Sequence, residues 1–106
     1  MNGNFLGHND DAVSISPQLH TVLLEDEMVR VVKLFFPPAA KEAMHWHPRS
    51  VSYILSPGKV RHMKSDGTVT EAELTTGKVT SSPERLHAVE NVGESTVEMI
   101  VIEFKS

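Results

Sequence analysis

The sequence contains no cysteine among its 106 residues. This absence excludes a disulfide framework, a thiolate metal site and a thiol nucleophile, so packing alone must hold the fold. Aromatic residues are scarce at 6%, and every apolar run is far shorter than the roughly 20 residues that a membrane helix needs. No segment concentrates lysine or arginine, and the formal net charge is −4. We therefore expect no nucleic-acid partner and no membrane partner.

The remaining composition is that of one ordinary globular domain, with 40% apolar and 23% charged residues. A chain of this length can build one hydrophobic core but not two. We place the domain at residues 12–106 and interpret residues 1–11, which are polar and contain two glycines, as a flexible arm or an edge extension. Residues 1–11 also lack the basic head and apolar core of a signal peptide, which makes the cytoplasm the expected location.

Short apolar segments separated by turn residues predict an all-β fold with about nine strands. Valine is the most frequent apolar residue, and β-branched residues favour sheets. The predicted strands are residues 18–24, 28–36, 43–47, 51–55, 59–64, 68–74, 79–82, 86–91 and 96–104. Open strand edges in a chain this small invite pairing with a second copy, so we also expect a homodimer.

Histidine supplies the clearest chemical signal, with six residues in the chain. His45 and His47 are two positions apart in a predicted strand, so both side chains point to one face and Trp46 points to the other. Two imidazoles on one face can bind one metal ion, and a third from another strand leaves positions open for substrate. His87 is the candidate third ligand. Purely structural histidines are the alternative at this point.

The surroundings of these histidines resemble the two sequence motifs of the cupin family. Residues 39–58 resemble the first motif, G-x5-H-x-H-x3,4-E-x6-G, and residues 77–91 resemble the second, G-x5-P-x-G-x2-H-x3-N. The resemblance covers nearly the whole chain. It implies a cupin-type jelly-roll β-barrel in which His45, His47 and His87 hold a divalent metal ion, which would be Fe, Zn, Ni or Mn.

The chain departs from the cupin pattern at several positions. Ala39 and Arg85 stand in glycine slots, and His87 lies one residue closer to Pro83 than the pattern asks. Val51 stands where many cupins carry a glutamate ligand, so that ligand is lost. Three neutral imidazoles leave a divalent ion with its full +2 charge, which would make the site a stronger attractor for an anion.

The resemblance implies metal-dependent chemistry on a small anionic oxygen compound, with a dioxygenase or an isomerase as the leading reaction types. Cupin dioxygenases similar to the acetylacetone-cleaving and gentisate-cleaving enzymes use three histidines around Fe(II) in this way. The alternative is a non-catalytic module that binds or senses a small ligand. The short chain and the lack of a convincing acid/base pair favour that alternative.

Four further residues are candidates near the site. His62 and Tyr53 have the inward parity of their predicted strands, which makes them the candidate catalytic residues, and His62 could instead hydrogen bond to a ligand histidine. Arg49 and Arg85 lie next to the ligand-bearing segments and are the candidates for binding a substrate carboxylate. A rim histidine, a core tyrosine and solvated arginines are the structural alternatives.

Overall fold

Nine strands and one short helix make up the described part of the chain, residues 5–105 of a computed structural model. Their bounds are α1 Ala12–Ile15, β1 His20–Glu25, β2 Val29–Phe36, β3 Lys41–His47, β4 Ser50–Ile54, β5 Gly58–Lys64, β6 Val69–Leu74, β7 Val79–Ser82, β8 Arg85–Asn91 and β9 Val97–Phe104. The prediction of an all-β fold with about nine strands is confirmed. Within residues 5–105, no helix is long and apolar enough to cross a membrane.

The strands form two antiparallel sheets in a jelly-roll arrangement, as expected from the sequence. One sheet has the order β1-β2-β9-β4-β7, and the other has the order β3-β8-β5-β6. Several neighbouring strands are distant in sequence, including β2 with β9 and β3 with β8. The second of these pairings brings the two histidine-bearing segments side by side.

Alternation along β2 and β9 gives the interior one apolar end and one polar end. Phe36 lies opposite Val97, and both side chains are fully buried in the main hydrophobic cluster. At the other end of the same two strands, Arg30 lies opposite Glu103, and these charged residues are only 5% and 1% exposed. Buried charges need partners, so this end of the interior is where a polar site is expected.

The N-terminal segment packs against the sheets from residue 5 onward. Asp11 is fully buried, and the backbone N–H of Trp46 donates to the carbonyl oxygen of Asp10 at 2.7 Å. The His8 ring stacks on the Trp46 indole with 3.6 Å between the ring centroids. This segment thus contacts Trp46 of β3. The first four residues of the predicted arm lie outside the described part of the chain.

Candidate metal centre

Three imidazoles meet at the polar end of the interior. The two-residue period of β3 puts His45 and His47 on one face, and the pairing of β3 with β8 puts His45 opposite His87. One ring nitrogen from each of the three lies within 4.8 Å of the other two. His45 is fully buried, and the other two rings are less than a tenth exposed. The structure therefore brings together all three candidate ligands.

The Nδ1 atom of each imidazole faces a partner inside the protein. The three partners are the Ala43 carbonyl oxygen at 2.7 Å from His45, the Glu103 carboxylate at 3.3 Å from His47, and Nδ1 of His62 at 3.3 Å from His87. When Nδ1 carries the proton, the Nε2 lone pair is left free. A partner on one ring nitrogen is the usual way in which proteins orient the other nitrogen toward a metal.

The two Nε2 atoms of His45 and His47 lie only 3.0 Å apart. With both Nδ1 atoms protonated, two lone pairs face each other at this distance, which is unfavourable unless a proton or a cation lies between them. Two nitrogen ligands at about 2.1 Å from one ion are about 3.0 Å apart in a right-angle arrangement and about 3.4 Å apart in a tetrahedral one. The donor set therefore fits a divalent cation.

Burial keeps these imidazoles neutral. It lowers the pKa of His45 to about 4, and together with Arg85 it lowers the pKa of His47 well below the usual range. Burial also lowers the pKa of His87, with a further contribution from the two neighbouring imidazoles. Because neutral imidazole is the ligand form, a metal ion near neutral pH has no proton to displace from these rings.

A buried network of charged side chains contacts the Nδ1 side of the His47 ring. Arg30 donates through Nε to Oε1 of Glu103 at 2.7 Å and through Nη2 to Asp11 at 2.8 Å. Burial raises the pKa of Glu103, although the neighbouring Arg30 acts in the opposite direction. Burial would also raise the pKa of Asp11, but hydrogen bonds from Ser14 and Arg30 leave it lowered. The N-terminal segment thus reaches a candidate ligand through two intermediate side chains.

A cavity of about 90 Å³ lies beside the imidazoles. Most of its wall comes from apolar side chains of the two sheets, and its polar wall residues are His20, Glu42, His47, Ser52, His62, Arg85, His87 and Glu103. An apolar cavity of about 150 Å³ can hold benzene, so this cavity suits a ligand with fewer heavy atoms. A wider depression of about 400 Å³ shares three of these wall residues, His62, Arg85 and His87.

The four further candidates divide into two groups. His62 and Arg85 line the cavity, whereas Arg49 is exposed and its guanidinium lies 5.2 Å from the centre of the Phe104 ring. The prediction that Tyr53 faces the site is wrong, because its side chain is 44% exposed on the outer face of its sheet. Arg49 is likewise absent from the residues lining the cavity.

The register of β4 explains the error at Tyr53. Ser50 lies opposite the buried Glu103, so Ser50 and Ser52 face inward and the alternate residues face outward. Val51 and Tyr53 are therefore on the outer face, which is also largely apolar. Because Val51 and Tyr53 are apolar, the sequence predicts that the face of β4 that carries them is the inner one, and this prediction placed Tyr53 on the wrong face.

Two carboxylates beside the imidazoles escaped the sequence analysis. Val51, at the position of the cupin glutamate ligand, has no carboxylate. However, Oε1 of Glu42 lies 4.0 Å from Nε2 of His45, and Glu103 contacts His47. Burial raises the pKa of Glu42 to about 7. A signal for Glu103 was present, because this residue has the same inward parity in β9 as the buried valines of that strand.

Solved cupin-fold structures are similar to this chain over most of its length. A cupin domain from Bordetella pertussis Tohama I is 27% identical, with a TM-score of 0.76 over 82% of this chain and 92% of that chain. A conserved protein with a double-stranded β-helix domain from Klebsiella pneumoniae subsp. pneumoniae MGH 78578 is 24% identical, with a TM-score of 0.66 over 81% and 75% of the two chains. A predicted oxalate decarboxylase from Thermotoga maritima is 19% identical, with a TM-score of 0.60 over 80% and 77%.

The second and third of these likenesses concern the fold alone, given their low identity. No protein-family profile matches the chain, and no curated protein matches it. The shared fold and the three-histidine group together fit a metal-binding domain.

Proposed function

Since this chain folds as a small cupin domain, we propose that it is a metal-dependent enzyme whose ion is held by His45, His47 and His87. The ion is Fe, Zn, Ni or Mn, the substrate is a small anionic oxygen compound, and the reaction is that of a dioxygenase or an isomerase. One observation carries the proposal. All three Nδ1 atoms have partners inside the protein, and one nitrogen of each ring lies within 4.8 Å of the other two, so with the protons on Nδ1 the Nε2 lone pairs are free to hold one ion.

A bound ion would polarise a coordinated substrate oxygen as a Lewis acid, and iron would add redox chemistry. The protein's own contribution begins with Arg85 on the cavity wall. Its Nη1 donates to the Pro83 carbonyl oxygen at 3.0 Å and to the Ser50 hydroxyl at 3.3 Å, which orients the planar guanidinium. A guanidinium held in this way can bind a carboxylate through its other nitrogens.

His62 has two roles in this proposal. If His87 uses Nε2 as the ligand atom, its Nδ1 carries a proton and donates to Nδ1 of His62. The remaining proton of the neutral His62 is then on Nε2. Because His62 lines both the cavity and the outer depression, this N–H can donate to a ligand or carry a proton between the two spaces.

The apolar part of the wall excludes water from the reacting groups. Val32, Leu34 and Val60 line the cavity and are buried. In a space with little water, Arg85 and an ion held by the imidazoles would act on a bound anion more strongly than they would at the surface. The wall also limits the substrate to a few heavy atoms.

A second candidate function keeps the metal but removes the reaction. The cavity is small and mostly apolar, which suits a module that binds or senses a small ligand without turning it over. This alternative predicts that a bound ligand is recovered unchanged after exposure to oxygen.

The test begins with elemental analysis of protein purified without an affinity tag. We expect one metal ion per chain, which is lost in His87→Ala and kept in His8→Ala, since His8 stacks on Trp46 away from the site. Anaerobic loading with Fe(II) is followed by oxygen uptake with small hydroxy acids, which have fewer heavy atoms than benzene. Absence of a stoichiometric metal contradicts the proposal, and recovery of the unchanged ligand favours the binding module.

A further inference from the structure

Glu42 is a buried carboxylate in the cavity wall with an unsatisfied oxygen. Its side chain is 4% exposed, and among the described residues no donor hydrogen bonds to its Oε2 atom. A buried acceptor without a donor is unfavourable, so such an atom in a cavity wall points to a group that the cavity receives. Neither the three-histidine centre nor the roles given to Arg85 and His62 use this oxygen.

A second acceptor faces the same oxygen. Nε2 of His20 lies 3.3 Å from Oε2 of Glu42, while Nδ1 of His20 lies 2.9 Å from the Ser16 carbonyl oxygen. That carbonyl can only accept, so Nδ1 carries the proton and Nε2 presents a lone pair. Burial lowers the pKa of His20, which favours this neutral form. When Glu42 is ionised, two acceptors therefore face each other and lack a donor between them, whereas protonation of the Glu42 carboxyl, whose pKa burial raises to about 7, supplies one.

The pair is close to the three imidazoles. Glu42 and His20 line the same cavity as His47 and His87, and Oε1 of Glu42 lies 4.0 Å from Nε2 of His45. A ligand that reaches both places within a cavity of about 90 Å³ must be small, which favours polar groups on neighbouring carbon atoms. The small volume of the cavity agrees with such a ligand.

Building on the proposed metal centre, we propose that Glu42 and His20 form a subsite for a hydroxyl group and that the ligand is a small 2-hydroxycarboxylate. The hydroxyl donates to this acceptor pair, while the carboxylate faces the imidazoles and Arg85. An ammonium group could also donate, but Arg85 and a bound cation would repel it. The subsite thus selects a hydroxy acid over both a plain carboxylate and an amino acid.

The probes are glycolate, acetate and glycine, which differ only in the group next to the carboxylate. The full chain is loaded with Co(II) at about pH 8, above the raised pKa of Glu42, and binding is followed by the visible spectrum of the ion and by calorimetry. We expect glycolate to bind at least about 10-fold more tightly than acetate or glycine. Glycolate can also chelate a free ion, so the decisive comparison is between the wild-type protein and its variants.

Glu42→Leu removes the acceptor, and Glu42→Gln keeps the volume while its amide N–H can donate to Nε2 of His20. We expect each variant to lose about 10-fold in the ratio of glycolate to acetate affinity, because removal of the negative charge acts on both anions alike and loss of the acceptor acts on glycolate alone. Glu90→Gln is the matched control, because Glu90 lies in β8 and does not line the cavity. Thermal unfolding of each loaded variant checks its fold, and Glu42→Gln decides the question if Glu42→Leu does not fold.

The two levels of the proposal fail separately. If Co(II) binds stoichiometrically but both Glu42 variants keep the wild-type ratio of glycolate to acetate affinity, the subsite is overturned and the metal centre stands. If the wild-type protein takes up no stoichiometric Co(II), the proposed function fails and the subsite that depends on it fails as well.

Discussion

Oε2 of Glu103 lies 3.3 Å from Nδ1 of His47, and Oε1 of the same carboxylate accepts a hydrogen bond from Arg30 at 2.7 Å. One side chain thus connects a candidate metal ligand to a buried cation. A carboxylate in this position fixes the tautomer of the histidine, holds the ring in place and makes its other nitrogen a better donor to a metal.

Glu103→Gln should therefore weaken metal binding by about 10- to 100-fold, because the amide is a poorer acceptor for the His47 N–H. Competition against a fluorescent chelator measures the effect. Glu98→Gln is the matched control in the same strand, since Glu98 is partly exposed and pairs with Lys33 at the surface. Equal metal affinities for the two variants would contradict the role given to Glu103.

Arg30→Met should lower the free energy of unfolding by about 3–5 kcal/mol, because it leaves the carboxylates of Asp11 and Glu103 buried without their cation. Arg61→Met is the control. Arg61 pairs with Glu71 at the surface, where such a pair contributes at most about 1 kcal/mol. Urea denaturation at neutral pH compares the two, and a loss of similar size in both would show that burial of the Arg30 cluster has no special energetic effect.

The strands and the pair of His45 and His47 were within reach of the sequence because both follow from local alternation, and His87 was found through the resemblance of residues 77–91 to the second cupin motif. His45 and His47 share a face at a separation of two residues, whatever the rest of the fold does. The inward position of His62 follows from the same rule, since it is two residues from the buried Val60. These positions needed no knowledge of which strands pair.

Glu42 was out of reach because a β-bulge lies between it and His45. In the pairing of β3 with β8, Glu42 lies opposite Val89 and His45 lies opposite His87, so three steps on one strand match two on the other. The extra residue reverses the alternation and brings Glu42 to the side of the imidazoles. Simple parity puts it on the opposite face. Nothing in the residues themselves marks the bulge.

The two arginines that the sequence grouped together should now behave differently. Arg85→Gln should weaken the binding of a small carboxylate to the metal-loaded protein by about 10-fold, because its guanidinium lines the cavity. Arg49→Gln should leave that affinity unchanged, since Arg49 is exposed beside Phe104. Calorimetric titration with acetate distinguishes the variants. An equal loss in both would indicate only a general effect of positive charge.

The metal-free protein should lose stability on acidification, with the loss beginning near pH 6.5. Burial lowers the pKa of His45 to about 4 and also lowers those of His47 and His87, so the folded state leaves these rings unprotonated in mild acid. In the unfolded chain the same rings take up protons below a pKa of about 6.5. In mild acid the unfolded state then binds more protons than the folded state. The free energy of unfolding therefore decreases as the pH is lowered, by at most about 1.4 kcal/mol per pH unit for each ring.

Glu42 acts in the opposite direction. Burial raises its pKa from 4.5 to about 7, so between these values the folded state holds an extra proton and is favoured by acid. Glu103 acts in the same direction as Glu42, but the buried histidines with a lowered pKa, which include His20 and His62, outnumber these two carboxyl groups, so the net stability should fall from pH 7 to pH 5. Urea denaturation of chelator-treated protein at pH 7, 6 and 5 measures this slope. His87→Asn removes one titrating ring and should flatten it, whereas a wild-type midpoint that stays constant or rises in acid would contradict the burial of neutral imidazoles.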